Sequence, residues 1–287
     1  SVNNKTKRRN MTVIIKYPKQ AKQTNKEFFK RKDRELTNLD WAKWAGWFDT
    51  DGSFSRQKRK TSQGYQLFAT LKLRDKQSVE LFSQIFETSL CYQEGVTITP
   101  NGTKYMSKVF KAALSSVKAE WFTENVSPYL IKEAKREYAG AVLEDTVRSK
   151  DFNTWTKDEV THYLATVIEG DGSVRVREHI RGNNKSLSIT IVSNDTQYLA
   201  NLVSIAASKL NVHSKFRKTK TYQTKRGTMT MYALYILCSR KNRKNIDFLK
   251  SLLKYNVMTL DRKKERVQEF VTWFDNKTIK LKLENRV

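Results

Sequence analysis

Trp44 to Gly52 reads WAGWFDTDG, and Leu164 to Gly172 reads LATVIEGDG. In each stretch a run of apolar and small residues ends in an acid, one further residue, then Asp-Gly-Ser, and a polar, basic, alternating segment follows. A helix that stops at a glycine and hands the chain to a strand has this appearance. Asp51 recurs as Asp171, a separation far beyond the period of a solenoid, so the pattern predicts two domain-sized halves with a shared plan and one motif helix, carrying one aspartate, in each.

Both stretches resemble the LAGLIDADG signature of homing endonucleases, and two copies in one chain resemble the monomeric, pseudo-two-fold members of that family. In the first copy Trp44 and Trp47 stand at the leucine positions and Phe48 at the isoleucine, while Ala45, Gly46, Asp49, Asp51 and Gly52 match the pattern directly. The second copy departs from it at Thr166, in place of the glycine, and at Glu169, in place of the first acid, but keeps Asp171 and Gly172.

Composition points independently to a polyanionic partner. The 287 residues suffice for two packed halves, and 55 Lys plus Arg against 29 Asp plus Glu give a formal net charge of +26. Such an excess strains a compact fold by self-repulsion unless a polyanion absorbs it, and its interleaving with Tyr and Phe favours nucleic acid over a membrane surface. No apolar run approaches the ~20 residues of a membrane span. Cys91 and Cys238 fit neither a disulfide framework nor a zinc site and read as buried, reduced thiols; His162, His179 and His213 stand apart, without the spacing of a metal site or a nucleophile's base.

Along the chain, residues 1–38 hold twelve Lys or Arg against three acids and lack an apolar core of the kind a secretory signal needs, so they read as a basic, partly disordered N-terminal arm. Residues 39–143 form the first repeat, 144–154 a polar linker and 155–287 the second repeat. Asn38 is the expected N-cap of the first motif helix, whose Ala42, Ala45 and Gly46 make one side small enough for a partner helix to come close, while its aromatics fill the core of its own half. Thr156 with Glu159 forms a capping box for the second motif helix, and Trp155 with Val160 a hydrophobic staple. Two alternating hairpins and intervening helical segments follow in each half. The predicted fold is α+β: two αββαββα repeats, with antiparallel sheets and the motif helices packed at the centre.

The resemblance implies a monomeric, site-specific, double-strand DNA endonuclease, intron-encoded and organellar, that needs Mg²⁺ or Mn²⁺. An RNA-splicing maturase or a non-cleaving DNA-binding protein on the same scaffold is the alternative. Phosphodiester hydrolysis needs a nucleophilic water, a neutralised phosphate and a stabilised leaving oxygen, which Mg²⁺ on one or two carboxylates supplies; Asp51 and Asp171 are therefore the expected metal-binding and catalytic residues. A basic residue from each half accompanies the metals in the family. Aligning Pro128–Tyr138 with Asn256–Arg266 sets Lys135 opposite Lys263 in that role, with Lys132 or Lys264 as substitutes, and a similar alignment sets Lys72 opposite Thr190 at the ends of the second strands. Because a two-stranded ribbon fits the major groove, Arg56, Lys58, Lys60, Gln66, Lys72, Arg175, Arg177, Arg181 and Lys185 are the expected DNA contacts.

Overall fold

The computed structural model describes residues 11–15, 24–59, 63–98, 104–179, 184–224, 227–239 and 243–284, and their side chains except at 11–15, 95–98, 104–107, 224 and 279–284. In chain order the elements are β1 (Met11–Ile15), α1 (Asn25–Glu35), α2 (Asn38–Thr50), β2 (Gly52–Lys58), β3 (Tyr65–Leu73), α3 (Lys76–Ile85), β4 (Leu90–Ile98), β5 (Lys104–Ser115), α4 (Val117–Val126) and α5 (Glu133–Leu143). They continue with α6 (Lys157–Gly170), β6 (Gly172–His179), β7 (Asn184–Ser193), α7 (Thr196–Leu210), β8 (Ser214–Thr224), β9 (Gly227–Ser239), α8 (Ile246–Lys254) and α9 (Asp261–Glu284). The order from α2 to α5 repeats from α6 to α9, so each half is the expected αββαββα unit extended by one further helix.

Two antiparallel sheets result, in the orders β1-β4-β5-β3-β2 and β6-β7-β9-β8. Side chains alternate between the faces of a strand, so the buried positions fix which face meets the helices. In the first sheet Phe54, Ala69, Leu71, Leu73, Leu90, Ala112 and Leu114 are buried; in the second, Val174, Leu187, Ile189, Ile191, Leu234, Ile236 and Cys238. The opposite face of each sheet carries no covering layer among the described residues. The registers agree between halves: Gly52 pairs with Leu71 and Gly172 with Ile191.

The first core is aromatic. Trp41, Trp44 and Phe48 of α2 meet Phe82 and Phe86 of α3 and Phe122 of α4, with ring centroids 4.8–6.3 Å apart in tilted and edge-on arrangements. This is the core-filling role expected of the motif aromatics. The second core is richer in aliphatic side chains, with Val160, Leu164, Val167, Ile168, Leu199, Leu202 and Leu249 packed beside Phe270. Cys238 lies buried within it, its thiol pushed up to about 11 by burial; Cys91, also a free thiol, is only half-buried, on strand β4, rather than buried as expected.

Two sequence-derived boundaries move. The cap of α2 is Thr37 rather than Asn38: its backbone N–H donates to Asp40 Oδ2 at 2.8 Å in a capping box. The basic stretch read as an arm contributes to the fold at two places: Met11–Ile15 pairs with β4 as an edge strand, and from Thr24 a capping box with Glu27 starts α1. Phe28 of that helix is only 2% exposed and meets Trp121 edge-on at 5.8 Å, so the segment is part of the first core. Its cationic residues masked the amphipathic pattern, because Lys32 is itself buried against Glu35 at 2.6 Å. The capping box of α6 stands as expected, with Glu159 N–H donating to Thr156 Oγ1 at 3.1 Å. The linker is anchored to the first half, Lys150 N–H donating to the Pro128 carbonyl at 2.7 Å, and to the second, Lys150 Nζ lying 2.9 Å from buried Glu159.

Helices α2 and α6 pack directly on each other at the centre. A Cβ built on Gly46 would lie 2.5 Å from the Tyr163 carbonyl oxygen and closer still to Thr166 Oγ1. Thr166 does more than fill space: it is fully buried and reaches across the seam to the Lys43 carbonyl at 2.9 Å. Near the far end of the same pair, a Cβ on Gly170 would run into Thr50 and lie 2.7 Å from Asp51 Oδ2. Glycine on alternate sides thus permits the close approach at both places.

Candidate active site

The two helices end together. Asp51 and Asp171 are their C-caps, with backbone N–H groups donating to the Trp47 and Val167 carbonyls at 2.9 and 3.0 Å. Because Asp51 Oδ2 rests against Gly170, the two carboxylates are neighbours at a place where both helix dipoles are already negative. Burial, and then the neighbouring Asp171, push the Asp51 carboxyl up to about 6; burial raises Asp171 as well, opposed by Lys132, Lys135 and Lys263. Asp51 Oδ2 is buried without a hydrogen-bond partner. The adjacent Thr50 hydroxyl is turned to the Gly46 and Trp47 carbonyls, 3.1 Å from each.

An unpartnered buried carboxylate oxygen beside a second carboxylate fits a hard divalent cation, which would remove both the desolvation cost and the repulsion. Among the described residues no cluster of three or more His, Cys, Asp or Glu is gathered. Two carboxylates, with water and phosphate oxygens completing the shell, are what Mg²⁺ commonly takes.

Asp49 and Glu169, the other acids of the motifs, face inward as scaffolding. Asp49 accepts the Ile131 N–H at 2.8 Å, the Lys132 N–H at 3.3 Å and the Tyr163 hydroxyl at 2.5 Å. Glu169 accepts the Thr259 N–H and, at 2.5 Å, the Leu260 N–H. Each acid therefore holds the backbone just before α5 or α9. The pattern equates Ile131 with Thr259 and Lys132 with Leu260, and so places Lys135 opposite Lys263 as the sequence alignment did.

Lys135 Nζ donates to the Gly52 carbonyl, and Lys263 Nζ to those of Ile168, Glu169 and Gly172 at 2.8, 2.5 and 2.7 Å. Burial lowers both ammonium groups, Lys263 to about 8. Lys132 also enters the site, 2.9 Å from the Asp49 carbonyl and 3.6 Å from Asp171 Oδ2. Lys264 turns away to exposed Asn256 at 2.5 Å. The pairing of Lys72 with Thr190 is corrected by register: Ser53 faces Thr70 as Ser173 faces Thr190, so Thr70 is the counterpart of Thr190 and Lys72 that of Val192. The alignment slipped by two because both registers keep the same alternation, and only the ladder distinguishes them.

Alternation likewise divides the residues expected to contact DNA. Gln66, Lys72, Arg175 and Arg177 lie on the open faces, opposite the buried neighbours in their strands. Arg56 and Lys58 share the helix-facing side with Phe54, where Arg56 pairs with Glu144 and lies 4.0 Å over the Tyr65 ring. Lys185 is on that side too, held by Glu178 at 2.8 Å and Glu269 at 2.6 Å. Lys60 and Arg181 are outside the described residues. The ladder registers add Lys111, Lys215 and Arg217 to the open faces.

The raised carboxyls set a pH dependence. Burial holds Asp49 and Asp51 at about 6 and Glu169 at about 7, all above their ordinary values, so between roughly pH 4 and 7 the folded protein binds more protons than the unfolded chain. Stability is then fully present below that window and falls as pH rises through it. Metal-free protein in high salt, which screens the net charge, is expected to melt higher at pH 5.5 than at pH 8, and Glu169→Gln to reduce the difference. A melting temperature that is flat, or higher at pH 8, in thermal denaturation would contradict this assignment.

Two αββαββα-type repeats meet on a close helix pair, each helix closing in an aspartate, which is the arrangement that the LAGLIDADG resemblance implies. Among solved structures the chain is similar to the LAGLIDADG homing endonuclease I-GzeII in complex with a DNA target (16% identity over 85% of this chain and 92% of that one, TM-score 0.48). It is similar also to the LAGLIDADG meganuclease I-AabMI bound to uncleaved DNA (12% identity, 85% and 93% covered, TM-score 0.48) and to the homing endonuclease I-WcaI bound to its DNA recognition sequence (14% identity, 85% and 94% covered, TM-score 0.46). No protein-family model and no curated protein matches the sequence.

Proposed function

We propose that this protein is a divalent-metal-dependent endonuclease that hydrolyses one phosphodiester on each strand of a long, non-palindromic DNA duplex, acting as a monomer. The observation that carries this reading is the pair of neighbouring aspartates at the α2 and α6 C-termini, one oxygen of which is buried without a partner. Asp51 and Asp171 would hold Mg²⁺ or Mn²⁺, which when bound neutralises phosphate charge and favours ionisation of the attacking water and departure of the leaving oxygen. Asp49 and Glu169 fix the α5 and α9 segments, so that Lys132, Lys135 and Lys263 stand at the helix ends without adjustment during reaction. The open faces of the two sheets flank this centre with Gln66, Lys72, Lys111, Arg175, Arg177, Lys215 and Arg217, of which some grip phosphates and others read base edges. Unlike side chains at equivalent strand positions suit unlike half-sites.

The decisive experiment is incubation with a randomised duplex library and Mg²⁺ or Mn²⁺, followed by sequencing of cut ends. Ends clustered on one long sequence, with both strands cut at fixed offset, are expected; a library without enriched ends overturns the reading. Binding in Ca²⁺ is expected to be strongly salt-dependent: six to ten phosphate contacts lose roughly 10³- to 10⁵-fold in affinity between about 50 and 200 mM salt. A nearly flat plot of log affinity against log salt would contradict a phosphate-dominated interface.

A further inference from the structure

The pseudo-symmetry breaks at one position in the active site, and the break concerns how ammonium donors are used. An ammonium group has three N–H donors. In the second half Lys263 spends all three on the Ile168, Glu169 and Gly172 carbonyls. In the first half two residues share that work: Lys132 donates to the Asp49 carbonyl and Lys135 to the Gly52 carbonyl. Lys132 therefore retains donors, and its Nζ lies across the seam, 3.6 Å from Asp171 Oδ2 and 4.6 Å over the Tyr198 ring of α7. The matching position in the second half is Leu260, which is buried and apolar. Lys135 and Lys263 act on Asp51 from farther off, but among the described residues no ammonium forms an ion pair with it, and its Oδ2 has no hydrogen-bond partner.

On the endonuclease reading above, we propose that Lys132 is a positioning residue that makes the two strand cleavages unequal, so that the protein nicks one strand first and completes the break more slowly. The phosphate that docks on the Lys132 side meets a charged donor with hydrogen bonds to spare. Its counterpart meets leucine and a saturated lysine. The same charge competes with a divalent cation for Asp171, so Lys132 also weakens metal binding at the pair relative to an uncharged residue.

The test uses a supercoiled plasmid carrying a site recovered from the duplex library, with primer extension to time each strand. For the parent, nicked circle accumulates and one strand is cut roughly tenfold or more faster than the other, in line with the worth of one preorganised donor. Lys132→Met brings the two rates to near equality by slowing the favoured strand, and Lys132→Arg restores the bias. Independently of cleavage, the Ca²⁺ concentration at which thermal stabilisation is half complete falls in Lys132→Met and not in Lys132→Arg. Lys132→Gln, whose amide can still donate to the Asp49 carbonyl, supplies a second uncharged variant should the methionine protein fail to fold. Equal strand rates in the parent, or an unchanged bias and Ca²⁺ midpoint in both uncharged variants, overturn the proposal and leave the endonuclease reading standing. A parent that cuts no duplex overturns both.

Discussion

Asp51→Asn or Asp171→Asn is expected to abolish double-strand cleavage, while binding of the same duplex in Ca²⁺ is expected to remain measurable. Either substitution removes a negative charge from a two-carboxylate site, in which Asp171 adds to the upward shift that burial gives Asp51. The expected loss is roughly 10³-fold or more, corresponding to the several kcal/mol that metal stabilisation of a transition state supplies. Binding survives because the open sheet faces are untouched. A folding defect is separable from this effect: burial already opposes the charge on Asp51, so metal-free Asp51→Asn melts no lower than the parent at pH 8. Full double-strand cleavage by either variant on a cognate duplex would remove the two aspartates from the mechanism.

Gly46→Leu is the second large effect, and here the change is mechanical. The Tyr163 carbonyl, 2.5 Å from a Cβ at this position, belongs to the backbone of α6 and cannot rotate away as a side chain could. The helices must separate. Overpacking of this kind costs typically ~1–3 kcal/mol, and a shift near 1 Å at the helix ends costs roughly 10²-fold in rate. Melting temperature and cleavage should therefore fall together, with Gly46→Ala intermediate. If Gly46→Leu melts and cuts like the parent, the motif helices do not form the working interface. Thr166→Gly, which by family pattern alone would be harmless, is expected to lower stability slightly, since the Lys43 carbonyl loses its donor from across the seam.

The sequence made the centre of the molecule legible and its periphery less so, for reasons that differ by element. Asp51 and Asp171 stood out because a repeated helix end leaves a repeated local signature, and Lys135 opposite Lys263 because equal spacing follows each acid's hold on the backbone before α5 and α9. Helix α7, Thr196–Leu210, is one of the intervening helical segments that the sequence predicts, since its apolar stripe is long and unbroken. Helix α1 was missed, although Thr24 and Glu27 form a readable capping box, because the lysine and arginine stems that cover the core are scored as polar in any pattern. The side occupied by Arg56, Lys58 and Lys185 depends on counting parity from a buried residue, and burial is a tertiary property. Lys132 is legible in the sequence only as a substitute for Lys135; its reach to Asp171 exists only once the halves are docked.

The seam at Gly46 and Thr166 also decides which partners the halves accept. Two copies of the second half, docked in the same way, would force Thr166 against Thr166 in a space that admits one hydroxyl. Two copies of the first would set Gly46 against Gly46 and forfeit the bond to Lys43. Each half is thus shaped for its sibling and against its twin.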